Sequence, residues 1–260
     1  MSYKIDIENM TFSFSRTNSF DTCKYYFYKQ YIEKSDDGES NFYASNGRAM
    51  HEVFEELFND KITIDECPHA YNQKFDLICE RVKSSIMENT YIKCIDYLCE
   101  MDDIDREKYE IIGVEMKLVF KIGDIDFQGY ADLVVRNRKT GEVILVDHKQ
   151  ATRFMKKDGV TPLKNQLANF QTYKKQMYCY CKGLLDQHGI KVDKMCFHHF
   201  KDGGAITELK FNQQEMDESL QWVIDTVEKI KTEEDFEPTQ SYMMCKQLCD
   251  FRNSCEYQDI

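Results

Sequence analysis

A chain of 260 residues, 42% hydrophobic and 31% charged, carries enough apolar sequence for a full core and reads as one globular domain. A net charge of −12 excludes a protein that coats nucleic acid through overall basicity, though not an enzyme with a local basic groove. No apolar run could cross a bilayer and the first residues lack a signal peptide's pattern, so a cytoplasmic protein is expected, its eleven cysteines thiols and not a disulfide framework.

The stretch from Thr11, with Asn18 or Ser19 as N-cap, predicts a helix near Phe20–Glu33. It holds Cys23 and a dense aromatic run (Tyr25, Tyr26, Phe27, Tyr28, Tyr31), suited to core packing or to stacking on unpaired bases. A polar loop at Lys34–Ser40 precedes a second helix near Asn46–Asn59, whose apolar stripe is Met50, Val53, Phe54, Leu57 and Phe58. His51 lies beside that stripe, as a packing residue or a ligand. Thr63–Glu100 is helical and acidic, with a break at Cys67–Pro68, and no chemistry is legible in it.

Alternation over Ile112–Phe120 predicts a half-buried strand starting at Tyr109. The turn Gly123–Asp126 leads into two further strands, Phe127–Val135 and Val143–Lys149, joined at Arg138–Gly141. Each holds a carboxylate, Asp132 or Asp147, where a structural strand would take another apolar residue. Lys149 shares a face with Asp147, roughly 6.6 Å along the strand. Half-burying these charges is costly unless a divalent cation and a polar substrate complete them; as solvent-facing strand ends they would mean little. The basic stretch Thr152–Lys164, with Arg153, Lys156, Lys157 and Lys164, is a mobile-looking solvated loop or a phosphate-contacting flap.

A long helix from Asn165 to about Gln187 follows, with Leu167, Phe170, Tyr173, Met177, Tyr180, Leu184 and Leu185 as its apolar face. Gln176 and Tyr180 are neighbours on its surface. Strands Lys191–Phe200 and Ala205–Phe211, a helix near Gln213–Lys231 and an irregular tail complete the chain. This order implies an α/β fold, a mixed sheet flanked by helices. In the tail, Cys245, Cys249 and Cys255 fall within eleven residues, a spacing suited to zinc or an iron–sulfur centre. The tail offers no fourth thiol, and Cys23 is the candidate.

Together these motifs resemble the RecB-like branch of the PD-(D/E)XK nuclease superfamily, in particular its iron–sulfur members. Those are the AddB-type nuclease domains and the CRISPR-associated RecB-like exonucleases, with their phage relatives. Phe12–Glu33 resembles the family's opening segment, and Gly47-Arg-Ala-Met-His51 fits its G-x-x-x-H. Gly129-Tyr-Ala-Asp132 fits G-x-x-D, Asp147-His-Lys149 fits D/E-x-K, and Gln176-Met-Tyr-Cys-Tyr180 fits Q-x-x-x-Y. The tail departs from the pattern, with C-x3-C-x5-C in place of C-x2-C-x5-C, and Gln150-Ala151-Thr152 replaces the common Thr-Gly.

The resemblance implies a restriction-endonuclease-like fold in a single nuclease domain, 1–260. Within it fall a helical lobe at about 60–105, a nuclease core at about 106–232, and a tail at 233–260 that pairs with Cys23. It implies Mg²⁺ or Mn²⁺ held by His51, Asp132, Asp147 and the backbone carbonyl of His148. Lys149 would act on the attacking water or the transition state, with Gln176 and Tyr180 orienting it. Cys23, Cys245, Cys249 and Cys255 would hold one 4Fe-4S cluster, or less readily zinc. The activity implied is DNA hydrolysis, exonucleolytic on single-stranded ends, in CRISPR adaptation, phage recombination or DNA repair. The implied partners are DNA and a CRISPR integrase or recombination protein, with no membrane. The competing reading is a cluster- or zinc-containing DNA-binding subunit without cleavage of its own.

Overall fold

The computed structural model describes residues 7–239 and 241–257, with Cys79 described by its backbone alone. Its centre is a six-stranded mixed sheet: β1 (Phe12–Ser13), β2 (Tyr109–Ile122), β3 (Ile125–Asn137), β4 (Val143–Lys149), β5 (Lys194–His199) and β6 (Ala205–Lys210). β3 is long enough to organise it. Along one side it pairs antiparallel with β2 over its whole length; on the other, its first half meets β1 in parallel and its second half meets β4 antiparallel. β4 and β5 run parallel, and β6 closes the order antiparallel to β5. The mixed sheet expected from the element order is present.

Helices cover both faces. α1 (Phe14–Thr22), α6 (Leu167–His188) and α7 (Gln213–Thr232) bury the larger core, in which Phe127, Leu145, Met177, Phe197 and Val223 are fully enclosed. Against the other face lie α3 (Phe42–Phe58), α4 (Cys67–Asp76) and α5 (Ser85–Glu100), packed through Met50, Val53, Tyr71, Cys94 and Phe200. The expected stripe on α3 is buried, with Phe58 partly so. On α6 the outer Leu167 and Leu185 remain exposed, so its apolar face is narrower than expected.

Several boundaries differ from expectation because other caps win. Ser13, not Asn18 or Ser19, accepts the Arg16 N–H and starts α1 six residues early. Cys23 then interrupts the helix at φ −159°, and its Sγ accepts the Tyr26 N–H to start α2 (Lys24–Phe27), which runs on as a π-helical turn to Glu33. Asn41 caps α3, which starts four residues before the expected Asn46. Pro68 does not break a helix; it occupies the first turn of α4, where no N–H is needed.

The stretch read as a mobile-looking flap is a pinned hairpin. Phe154 is fully buried against Phe170, Tyr173, Phe197 and His199. Met155 pairs with Pro162, Asp158 closes the turn through the Val160 and Thr161 amides, and Arg153 binds Asp202. Its basic residues ride on a fixed support.

Candidate active site

Six of the sequence-predicted residues, His51, Asp132, Asp147, Lys149, Gln176 and Tyr180, meet where α3, β3, β4 and α6 converge. Asp132 and Asp147 are 8% and 2% exposed, a depth at which two carboxylates need compensation. Asp132 Oδ2 accepts the His148 N–H at 2.8 Å, which ties β3 to β4. Asp147 receives the Lys149 ammonium, with Nζ 3.0 Å from Oδ1 and 2.7 Å from Oδ2. Only the Oδ1 contact has hydrogen-bond geometry, and Oδ2 remains buried without a hydrogen bond. Burial, against the pull of Lys149, pushes the Asp147 carboxyl up to about 6, and burial also raises Asp132.

Burial alone would lower Lys149, but Asp147, Tyr173 and Asp132 hold it above its ordinary value, so at neutral pH it is a cation and not a base. Its Nζ also donates to Gln176 Oε1 at 3.0 Å and lies 4.5 Å from the Tyr173 ring centre. Gln176 in turn donates to the Tyr180 hydroxyl at 2.9 Å, the i, i+4 pairing expected on α6. Burial keeps that phenol neutral. Gly129 lies beneath the tyrosine: a Cβ there would stand 2.4 Å from Tyr180 Cε1.

His51 reaches the same place from α3. Its Nε2 is 2.9 Å from the His148 carbonyl oxygen, and its Nδ1 is 3.5 Å from both Asp132 Oδ2 and Glu115 Oε1. Burial opposes its charge, yet Asp132 and Glu115 outweigh it and raise His51 to about 9. The His148 ring turns away from the site. Its Nδ1 is 2.7 Å from His198 Nδ1, and Tyr97 on α5 bonds His198 Nε2 at 2.7 Å. Burial and the neighbouring imidazoles keep both histidines neutral, His198 at about 4.

Glu115 was missed by the sequence reading. Strand alternation assigns it to the polar face of β2, but at φ +44°, beyond a register shift between Ile111 and Gly113, its carboxylate joins the group. Ligand atoms of His51, Glu115 and Asp132 all lie within 4.8 Å of one another. This donor set, hard oxygens and an imidazole beside the buried Asp147, fits a hard divalent cation such as Mg²⁺ or Mn²⁺.

The four cysteines singled out in the sequence also come together, away from this site. Cys23, Cys245, Cys249 and Cys255 line one small enclosed cavity with Tyr25, Tyr26 and Phe251. Cys23 Sγ accepts the Thr239 N–H, and Cys245 Sγ contacts the Thr239 carbonyl. Burial pushes Cys249 up to about 11, with Cys255 and Cys23 close enough to add to the shift. Four thiols around one cavity fit a tetrahedral soft-metal centre. Of the other cysteines, those with described side chains lie elsewhere.

Among the described residues no helix is long and apolar enough to cross a membrane. None of the curated proteins compared with the chain matches it. In fold it is similar to the crystal structure of a presumed exonuclease from Eubacterium rectale, at TM-score 0.50 and 15% identity, over 100% of this chain and 93% of that one. The family model of the PD-(D/E)XK nuclease superfamily matches residues 11–256, nearly the whole length, and the chain belongs to that superfamily.

Proposed function

We propose that this nuclease is a Mg²⁺- or Mn²⁺-dependent deoxyribonuclease that acts exonucleolytically on single-stranded ends. The observation that carries the hydrolytic reading is the buried Asp132–Asp147–Lys149 group, closed by Gln176 and Tyr180 and faced by His51. Such a group is unstable as mere structure and suited to a cation with a phosphodiester. The cation's ligands are drawn from His51, Asp132, Asp147 and the backbone carbonyl of His148. When bound it supplies Lewis-acid polarisation of the phosphate and a lowered pKa for water. Lys149, fixed as a cation by Asp147 and Gln176, orients the attacking water and offsets charge on the phosphorane-like transition state. Gln176 holds the ammonium in place, and Tyr180 holds Gln176.

The domain plan of a helical lobe, a nuclease core and a cysteine-bearing tail is part of the same reading. Cys23, Cys245, Cys249 and Cys255 hold one 4Fe-4S cluster with a structural role. Exonuclease action is supported by the Q-x-x-x-Y pair and the cysteine arrangement, and by the fold likeness. The place of action is CRISPR adaptation, phage recombination or DNA repair.

Linear single-stranded DNA with Mg²⁺ or Mn²⁺ should be degraded from its ends, and EDTA should stop the reaction. Lys149→Ala should lower kcat by about a hundredfold or more while the protein stays folded. Cleavage by Lys149→Ala at the wild-type rate would falsify the assignment.

A further inference from the structure

We propose that an aromatic groove between α2 and the segment that follows α7 is a docking site for an extended, arginine-bearing segment of a partner protein. None of its residues belongs to the candidate active site, so it stands apart from the nuclease reading.

The dense aromatic run after Cys23 divides between inside and outside. Phe27 is fully buried, Tyr31 packs against the larger core, and Tyr26 lines the cysteine cavity. Tyr25 and Tyr28 reach the surface, where they line a groove of about 690 Å³ with Phe236, Pro238 and Tyr257. The four rings follow one another without a gap. Tyr257 meets Tyr25 edge-on at 4.9 Å, Tyr25 stacks on Tyr28 at 6.2 Å, and Tyr28 lies 5.4 Å from Phe236. Phe236 stacks in turn on Phe27 at 6.3 Å, so the ladder rests on the core. Such rings offer a large contact area and lose little freedom on binding.

Charge decides what the groove holds. Glu234, Asp235 and Glu237 line it, and among the described residues no lysine or arginine does. Lys24, next to Tyr25, is bound to Glu233. The phosphates of single-stranded DNA are repelled by this rim, which disfavours base stacking as the use of the aromatic run. Nor do these carboxylates gather around one metal ion: among the described residues the group with metal-ligand spacing is His51, Glu115 and Asp132. A guanidinium suits rings and acids together, because its flat face stacks on an aromatic ring while its edge donates to a carboxylate. Since the rings come in series, an extended chain meets them in turn, side chain by side chain.

The test measures fluorescence anisotropy of the full chain with a labelled peptide carrying arginine at every third position between serines. It should bind, and more tightly than its lysine counterpart. Tyr28→Ala should raise Kd about two- to fivefold, the worth of one cation–ring contact, whereas Tyr28→Phe, which keeps the ring, should bind as wild type does. Exchanging Glu234, Asp235 and Glu237 for their amides should raise Kd by at least about tenfold. The same change of charge at Asp102, Asp103 and Asp105, exposed on the loop before β2, should alter it by less than about twofold. Equal weakening by both triple exchanges would mean attraction to net charge alone and overturns the proposal, as does a wild type that binds neither peptide. Tyr28→Ala that loses single-stranded DNA but keeps the peptide would make the ladder a base-stacking surface, and overturns it too. Should Tyr28→Ala fold poorly, the triple exchanges and the lysine peptide decide.

Discussion

Gly129 and Tyr180 belong to motifs 51 positions apart, yet one makes room for the other. With a Cβ 2.4 Å from the ring, an alanine at 129 would push Tyr180 off Gln176 and so loosen Lys149. Gly129→Ala should therefore cost at least about tenfold in kcat, read from steady-state rates. Gly47 makes the contrast, since a Cβ there meets only Gln150 Oε1 at an ordinary 3.7 Å. Gly47→Ala should keep its activity and gain up to about 1 kcal/mol in a urea titration through helix propensity. Equal losses in the two variants would sink this account. His51 carries a pH signature. Its folded value near 9 lies above the ordinary 6.5, so the folded state holds the extra proton between them. That contribution is complete below about 6.5 and lost as pH rises through about 9. In EDTA, the Tm of wild type should fall more over this window than that of His51→Asn. Asp132, Asp147 and Lys149 were legible in the sequence because charge interrupts β-forming runs. Glu115 was not, because residue type does not announce a left-handed backbone at a non-glycine position.

At the level of elements, the order of helices and strands from α3 onward followed from periodicity. So did the starts at Tyr109, Val143, Ala205 and Gln213, while β1 and the starts of the first helices did not. Ser13, Ser15, Asn18 and Ser19 are all competent caps by type, and the choice of Ser13 depends on β1 pairing with β3, a contact over a hundred residues away. The hairpin after β4 was misread for a related reason. Its polar composition hides one buried anchor, Phe154, and one ion pair, Arg153–Asp202. Lys156 and Lys157 are thus presented on a fixed arm leaving directly from Lys149. Exchanging both for glutamine should weaken single-stranded DNA binding without changing Tm. It should lower the slope of log K against log salt by about 1.4, or about 0.7 for each lost phosphate contact. An unchanged slope would remove the hairpin from the DNA path.

Across the whole molecule, the segment around residues 21–26 is joined to α7 and to the cysteine-bearing tail. Cys23 shares a cavity with the three tail cysteines, Tyr26 bonds Asp250, and Trp222 bonds Asp21. Cys23→Ser, remote in sequence from the other three, should strip iron and sulfide from anaerobically purified protein and lower its Tm. Full iron content with an unchanged Tm would leave the tail as a local element with another fourth ligand. The spacing singled out only the three tail cysteines and the family resemblance added Cys23, while the hydrogen bonds around them could not be read from composition. Asn41, the cap of the helix that bears His51, donates to the Leu248 carbonyl, 207 residues further on, and its own N–H donates to Asp250. A ribosome adding about 5–20 residues each second needs roughly 10–40 s to travel that distance. For that interval the start of the His51 helix waits for partners not yet made, and its seating is completed only once Leu248 and Asp250 have been synthesised.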